Sequence, residues 1–317
     1  MAKMPQQVTV VGSLNVDYIA AVARLPNPGE TVSATDLVRR YGGKGANQAI
    51  AAARQGTRVH FIGCLGADED GLAYRRRLRE EGVDVRGICT ASEARTGTAL
   101  IAVARSAENM IVVAPGANGC LTSRWVRTRR ASIAAAKALL VQFEVPFEVV
   151  KEAVTLANRA GVPVVLNPSP WKSGFPWASC QVDTLIVNET EAQSIFGLSP
   201  DNIASRMDTW RGALKRKRVT NLLLTRGARS TFCLSPGACF EVPTLRVRPV
   251  DTVGAGDAFA GAYAAKRAQG VDFAIAVRHA NCAGALATLK TGAQEATPGR
   301  AETERALRRL TPNRPVT

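Results

Sequence analysis

The chain has 317 residues, 46% hydrophobic and 21% charged, enough for one large α/β domain or two small ones. No run of about 18 uncharged apolar residues occurs, which excludes a transmembrane helix. Lys and Arg outnumber Asp and Glu by 41 to 26, a net charge of +15, but few aromatics accompany them, so a stacking platform for nucleic acid is not expected.

Short apolar runs that read as buried strands alternate with amphipathic helices. The strand-like runs are 8–11, 59–64, 138–142, 162–166, 184–187 and 221–225. Helical patterns lie between them at 45–55, 70–81, 147–160 and 189–196. This β-α-β alternation predicts a doubly wound, mostly parallel sheet with helices on both faces. Two insertions break the rhythm: 18–38, with a Pro-Asn-Pro-Gly-Glu turn at 26–30, and 98–113, a hairpin about Ser106-Ala107-Glu108-Asn109. Neither has helices to cover it, so together they predict a small separate sheet. A hairpin at 230–242, about Ser235 to Ala238, precedes two closing helices at 256–269 and 273–289 and a last one at 298–310.

Four motifs stand at strand ends, where open α/β sheets bind ligands. In Asp251-Thr252-Val253-Gly254-Ala255-Gly256-Asp257 the glycines free consecutive N–H groups at a helix start. Such a nest attracts anions, and Asp257 is placed to take a proton beside a phosphate; an Asp N-cap is the bland alternative. The third glycine of a dinucleotide fingerprint is replaced by Phe259, so that reading fails. Gly42-Gly43-Lys44-Gly45-Ala46-Asn47 opens a helix with backbone able to approach a polar ligand closely. Asn15 and Asp17, after the first strand, have spacing to clamp vicinal hydroxyls. Glu191, in Asn188-Glu189-Thr190-Glu191, has the chemistry to organise magnesium through water, or simply to favour a helix N-terminus.

With these motifs in this order, the chain resembles the ribokinase family of ATP-dependent sugar kinases from about residue 8 to 298. The segments 42–47 and 251–257 carry most of the likeness. The resemblance implies one ribokinase-like α/β domain over 1–317, with a β lid at about 15–40 and 97–113 that also pairs two chains in a homodimer. It implies phosphorylation of D-ribose at the 5-hydroxyl, with Asp257 as general base and Gly254, Ala255 and Gly256 as anion hole. Asn15, Asp17, Gly43, Lys44, Asn47 and Glu144 match the sugar-binding set. Thr225-Arg226-Gly227-Ala228-Arg229-Ser230 matches the nucleotide segment, although the family usually ends it in Gly; Asn188 and Asn281 complete the ATP site. A monovalent cation, potassium, is implied beside the anion hole at Asp251, Val253, Ala287, Lys290, Gly292 and Ala296. Ala296 stands where the family usually carries a hydroxyl, with Thr297 adjacent.

The rivals are a sibling kinase acting on deoxyribose, fructose or a nucleoside, and a non-catalytic basic protein that holds nucleic acid. The intact polar set favours ribose over sugars lacking a hydroxyl. Seven scattered Cys without a C-x-x-C pair fit reduced thiols in the cytoplasm better than disulfides or zinc. No signal peptide is expected at residues 1–7. His60 and His279 read as structural.

Overall fold

Val-, Leu- and Ile-rich runs that are buried on both faces need helices above and below them, and the molecule is arranged accordingly. The computed structural model describes residues 6–106, 108–310 and 314–315; the expectations that fall on Ala107 and on the extreme termini lie outside these. In chain order, β1 (Gln7–Val11), β2 (Asn15–Val22) and β3 (Ala34–Gly42) lead into α1 (Lys44–Arg54), β4 (Arg58–Gly66), α2 (Glu69–Glu80) and β5 (Val83–Ala91). Next come β6 (Gly97–Ala104), β7 (Asn109–Ala114), α3 (Ser123–Thr128), α4 (Arg130–Ala134), β8 (Ala138–Gln142), α5 (Phe147–Arg159) and β9 (Val164–Asn167). The rest comprises β10 (Val182–Asn188), α6 (Glu189–Phe196), α7 (Met207–Arg216), β11 (Val219–Thr225), β12 (Thr231–Leu234) and β13 (Cys239–Val242), then α8 (Ala255–Ala268), α9 (Phe273–Ala287), α10 (Arg300–Leu307) and β14 (Arg314–Pro315).

Ten strands form the large sheet, in the order β14-β13-β12-β11-β10-β9-β8-β1-β4-β5. The strands from β11 to β5 run parallel, and the β12–β14 edge is antiparallel. One face packs Val10, Leu140, Ile186 and Leu223 against α1, α2, α8 and α9. The other packs Val11, Val141, Leu185 and Leu224 under α3 to α7, with Trp210 fully buried. Strand order reverses at β1, which has β4 on one side and β8 on the other. The crevice outside the ends of β1 and β8 is therefore the place where this architecture admits a ligand. Among the described residues no helix is long and apolar enough to cross a membrane.

The two insertions build the separate sheet, ordered β3-β2-β6-β7. Strands β2 and β3 pair antiparallel, β2 and β6 parallel. β5, α3, α4 and α7 lie outside the sequence-based expectations. β5 alternates poorly, because it is an edge strand with exposed Arg86 and a register shift opposite His60 and Ile62. Helices α3 and α4 bury only Val126 and Ile133, too few for a helical period. α7 buries Trp210, Ala213 and Leu214 within an otherwise charged stretch.

Helices α1 and α8 meet at Gly261, where an added Cβ would lie 2.3 Å from the Gln48 carbonyl oxygen and 2.6 Å from Ala51 Cβ. Relief there requires backbone movement. Gly261→Ala should therefore lower unfolding free energy by about 1–3 kcal/mol in chemical denaturation. Gly237→Ala, whose added methyl meets nothing within 4 Å, should change it little.

Candidate active site

The crevice is assembled from the ends of β1 and β8 and the first turns of α1 and α8. Ser13 follows β1 and ties three segments together. Its carbonyl accepts from Ala46 N (3.0 Å), its Oγ accepts from Gly45 N (3.2 Å) and donates to Glu144 Oε2 (2.5 Å). Glu144 Oε2 also accepts from Lys44 N at 2.8 Å. Gly43 takes φ +86°, and a side chain there would strike Asn15 N at 2.7 Å, so glycine is required both by conformation and by space. Asn15 is 6% exposed, and its Oδ1 accepts from Asn118 Nδ2 at 2.8 Å. Asp17 lies two residues along β2, facing Gly42 of β3.

Gly254 begins α8 at φ +77°, packed so closely on Ala293 that a Cβ would lie 2.7 Å from its Cα. Gly256 by contrast faces open space. Ala255 N donates to Thr252 O (3.3 Å), and the start of α8 has no side-chain cap, which favours an anion there. Within the first turn of α8, Asp257 is 6% exposed. Its Oδ1 accepts from Gln48 Nε2 and its Oδ2 from Asn47 Nδ2, both at 3.0 Å. A carboxylate held this way keeps a fixed plane and retains lone pairs for a substrate proton.

The clamp is itself braced by buried amides that the motif reading did not single out. Gln48 Nε2 also donates to Asn167 Oδ1 (3.0 Å), and Gln142 Nε2 donates to Gln48 Oε1 (2.6 Å). Gln294 Nε2 donates to Asn47 Oδ1 (3.1 Å) and to the Tyr74 hydroxyl (2.7 Å). Gln48, Gln142 and Gln294 are 0% exposed. The available signal was a polar side chain at the end of an apolar strand (Gln142, Asn167) or within an apolar helix (Gln48), since most buried polar groups are bonded, although Gln142 Oε1 and Gln294 Oε1 find no partner among the described residues.

Electrostatics converge on the same crevice. The Asp257 carboxylate, followed by those of Glu144 and Glu191, raises the Lys44 pKa against burial. Burial, then Glu144 and Glu295, pushes the Asp17 carboxyl up to about 7. Around the crevice's far side, Asn188 and Glu191 form a reciprocal capping box at the start of α6, Glu191 Oε2 accepting from Asn188 N at 3.0 Å. Thr225 Oγ1 donates to Val187 O (3.2 Å). Arg226 pairs with Glu241 at 2.8 Å and bonds Ser230, whose Oγ donates to Glu241 Oε2 at 2.5 Å. Ser230 thus closes a network that a glycine would leave open. Asn281 is buried and fully engaged: Nδ2 donates to Val242 O and Pro243 O, and Oδ1 accepts from Thr231 Oγ1. Its amide fastens β12 and β13 to α9 rather than standing in open space. Asp251 bonds Val253 N and Gly292 N, each at 2.9 Å, and so joins the turn before α8 to the 290–296 loop. His60 bonds Asp84 at 3.1 Å, and burial pushes His279 down to about 4.

The family model for pfkB family carbohydrate kinases matches residues 5–300. Ribokinase of Haemophilus influenzae is 37% identical over 302 residues, covering 95% of this chain and 98% of that protein. Deoxyribokinase of Salmonella typhimurium is 30% identical over 296 residues, covering 92% and 95%. Among solved structures, Arabidopsis thaliana ribokinase complexed with ribose and ATP is similar with a TM-score of 0.90 at 27% identity, covering 96% of this chain and 99% of that one.

The raised Asp17 pKa has a direct readout. Asp17 should be neutral below and ionised above about pH 7, giving an infrared carboxyl band that disappears through that midpoint and is missing in Asp17→Asn. Glu295→Gln removes one of the opposing charges, so the midpoint should fall. A midpoint unchanged in Glu295→Gln would remove that charge from the account.

Proposed function

The chain belongs to the pfkB family of carbohydrate kinases, and we propose that it transfers the γ-phosphoryl group of ATP to the 5-hydroxyl of D-ribose. The observation that carries this reading is the Asp257 carboxylate, clamped by Asn47 and Gln48 in the first turn of a helix whose start carries no side-chain cap. A base and an anion-stabilising nest stand side by side. Similarity over nearly the full length to proteins named ribokinase supports the sugar assignment.

In this reading Asn15, Asp17, Gly43, Lys44, Asn47 and Glu144 hold the pentose hydroxyls, which turns an encounter into an oriented reaction. Asp257 takes the proton from the 5-hydroxyl as its oxygen attacks phosphorus. The N–H groups of Gly254 and Gly256, with that of Ala255 once it leaves Thr252 O, receive the charge on the transferring phosphoryl group. Asn188, the 225–230 segment and the stretch of α9 about Asn281 flank the nucleotide. Glu191, one oxygen of which is held by Asn188 N and whose charge reaches Lys44, would hold magnesium through water, and the ion would neutralise charge on the phosphates.

A cation loop fits the same reading. Asp251 gathers the turn before α8 and the 290–296 loop, where backbone carbonyls of Val253, Ala287, Lys290, Gly292 and Ala296 offer neutral oxygens to a weakly hydrated ion such as potassium. The small sheet acts as a lid that excludes water. Its exposed Leu37, Leu100, Met110, Ile111, Val112 and Val113 favour burial against a second copy about a two-fold axis. Seven free thiols agree with residence in the cytoplasm.

With ATP, ribose should lead deoxyribose, fructose and adenosine in kcat/KM; deoxyribose leading would make the enzyme the sibling kinase instead. Asp257→Asn should lower kcat by roughly 10²–10⁴ while sugar binding by calorimetry is largely retained, and turnover within threefold of the parent would remove Asp257 from its role. Potassium should raise both activity and thermal midpoint over a bulky organic cation, more strongly in Ala296→Ser; equal values in every salt would mean that the loop holds no cation. Light scattering at tens of micromolar protein should read the mass of two chains, and a monomeric mass would sink the lid-to-lid pairing.

A further inference from the structure

Away from the crevice, two cysteines face each other at the edge of the large sheet. Cys64 of β4 and Cys89 of the edge strand β5 are direct Cα partners in parallel register. Residues so paired point to one face of the sheet; here Cys64 belongs to the apolar cluster that includes Ala117, Leu121 and Val126, and Cys89 packs against that cluster. Neighbouring strands lie about 4.8 Å apart, within the roughly 4.4–6.8 Å span between Cα atoms that a disulfide bridges. Cys64 is buried, Cys89 half-buried and Cys120, at the end of the Gly116–Cys120 turn above them, exposed. The pair is thus reached from solvent at Cys89.

The surroundings differentiate the two sulfurs. Arg75 lies along the edge strand, donating to the carbonyls of Ile88 (3.1 Å) and Cys89 (3.3 Å) and to Thr90 Oγ1 (3.0 Å). Cys89 Sγ donates to Gly63 O (3.3 Å) and Cys64 Sγ to Leu65 O (3.9 Å), and the adjacent Cys64 thiol, with the Arg75 charge in support, holds the Cys89 thiol below its ordinary range. The neighbouring Cys89 sulfur and burial push Cys64 well above it. Cys89 is the sulfur set up to react, and Cys64 the one set up to resolve.

We propose that Cys64 and Cys89 are a peroxide-sensitive dithiol that closes to a cross-strand disulfide. The Cys89 thiolate attacks one oxygen of hydrogen peroxide; the O–O bond breaks, leaving Cys89 sulfenic acid and hydroxide, which takes up the proton that Cys89 released. The Cys64 sulfur then attacks Cys89, forming S–S as S–O breaks, and the departing hydroxide leaves as water with the Cys64 proton. Two thiols are oxidised and one peroxide is reduced to two waters. The bridge ties β5 to β4 just before the root of the small sheet, where Thr96 Oγ1 accepts from Gly66 N (3.1 Å) and donates to Asp68 (2.6 Å).

The full chain is treated with hydrogen peroxide, its remaining thiols are blocked with N-ethylmaleimide, and peptides are mapped by mass spectrometry. Titratable thiols should fall from seven to five, with a Cys64–Cys89 linked peptide that dithiothreitol reverses. Cys120→Ser should keep the link, and Cys89→Ser and Cys64→Ala should each abolish it; because Cys89 is half-buried, Cys89→Ser decides the matter if Cys64→Ala does not fold. Seven free thiols after treatment would overturn the proposal. So would losses confined to Cys120, as chain-to-chain disulfide or sulfonic acid, without the internal link.

Discussion

Helices α1 and α8 touch at Gly261 so closely that there is no room for a methyl group between them, and the crevice depends on that contact. α1 brings Asn47 and Gln48, α8 brings Asp257, and the two amides reach the carboxylate only because the helices approach at the glycine. A side chain at the crossing would force them apart, and an interior packed at crystal density transmits such a displacement to whatever the helices carry. A second close approach, Gly254 on Ala293, seats the start of α8 against the loop gathered by Asp251. The base and the nest are therefore placed by backbone packing before any hydrogen bond is considered.

The hydrogen bonds then remove freedom that packing alone would leave. A buried carboxylate without partners would cost far more than the fold can offset, and Asp257 meets that demand with two amide donors. Those amides must themselves be satisfied, and so the chain continues to Gln142, Asn167, Gln294 and Tyr74. Networks of this kind in low dielectric specify one arrangement or none. This one links the end of β8, the end of β9, α1, α2 and the loop after α9 to a single carboxylate.

Charge is distributed by the same logic on a larger scale. The chain as a whole carries an excess of positive charge, and the crevice gathers carboxylates. Within it, Lys44 stands among Asp257, Glu144 and Glu191, and Asp17 is held against ionisation by burial and by the carboxylates of Glu144 and Glu295. A substrate rich in hydroxyl groups suits such a place, since it donates to carboxylates and accepts from an ammonium without bringing a charge of its own.

The alternation of apolar runs and helical patterns was enough to define the doubly wound sheet, the two uncovered insertions and the glycine-marked starts of α1 and α8, because buried strands, helix starts and turns leave local marks in residue type and spacing. β5, α3, α4 and α7 left weaker marks, since an edge strand and helices that bury few side chains show no clear period. The pairings that make a crevice out of motifs have no local mark at all. Ser13 meets Glu144 across 131 residues and Asn47 meets Asp257 across 210, and nothing in the spacing of either motif encodes the other. Asn281 illustrates the converse: its sequence context offers an amide near a ligand, while the fold spends that amide on Thr231, Val242 and Pro243. The sequence by itself determined the layers and the chemical groups available at strand ends. Only the tertiary structure decided which of those groups meet, because that depends on strand order and on how closely two helices pack.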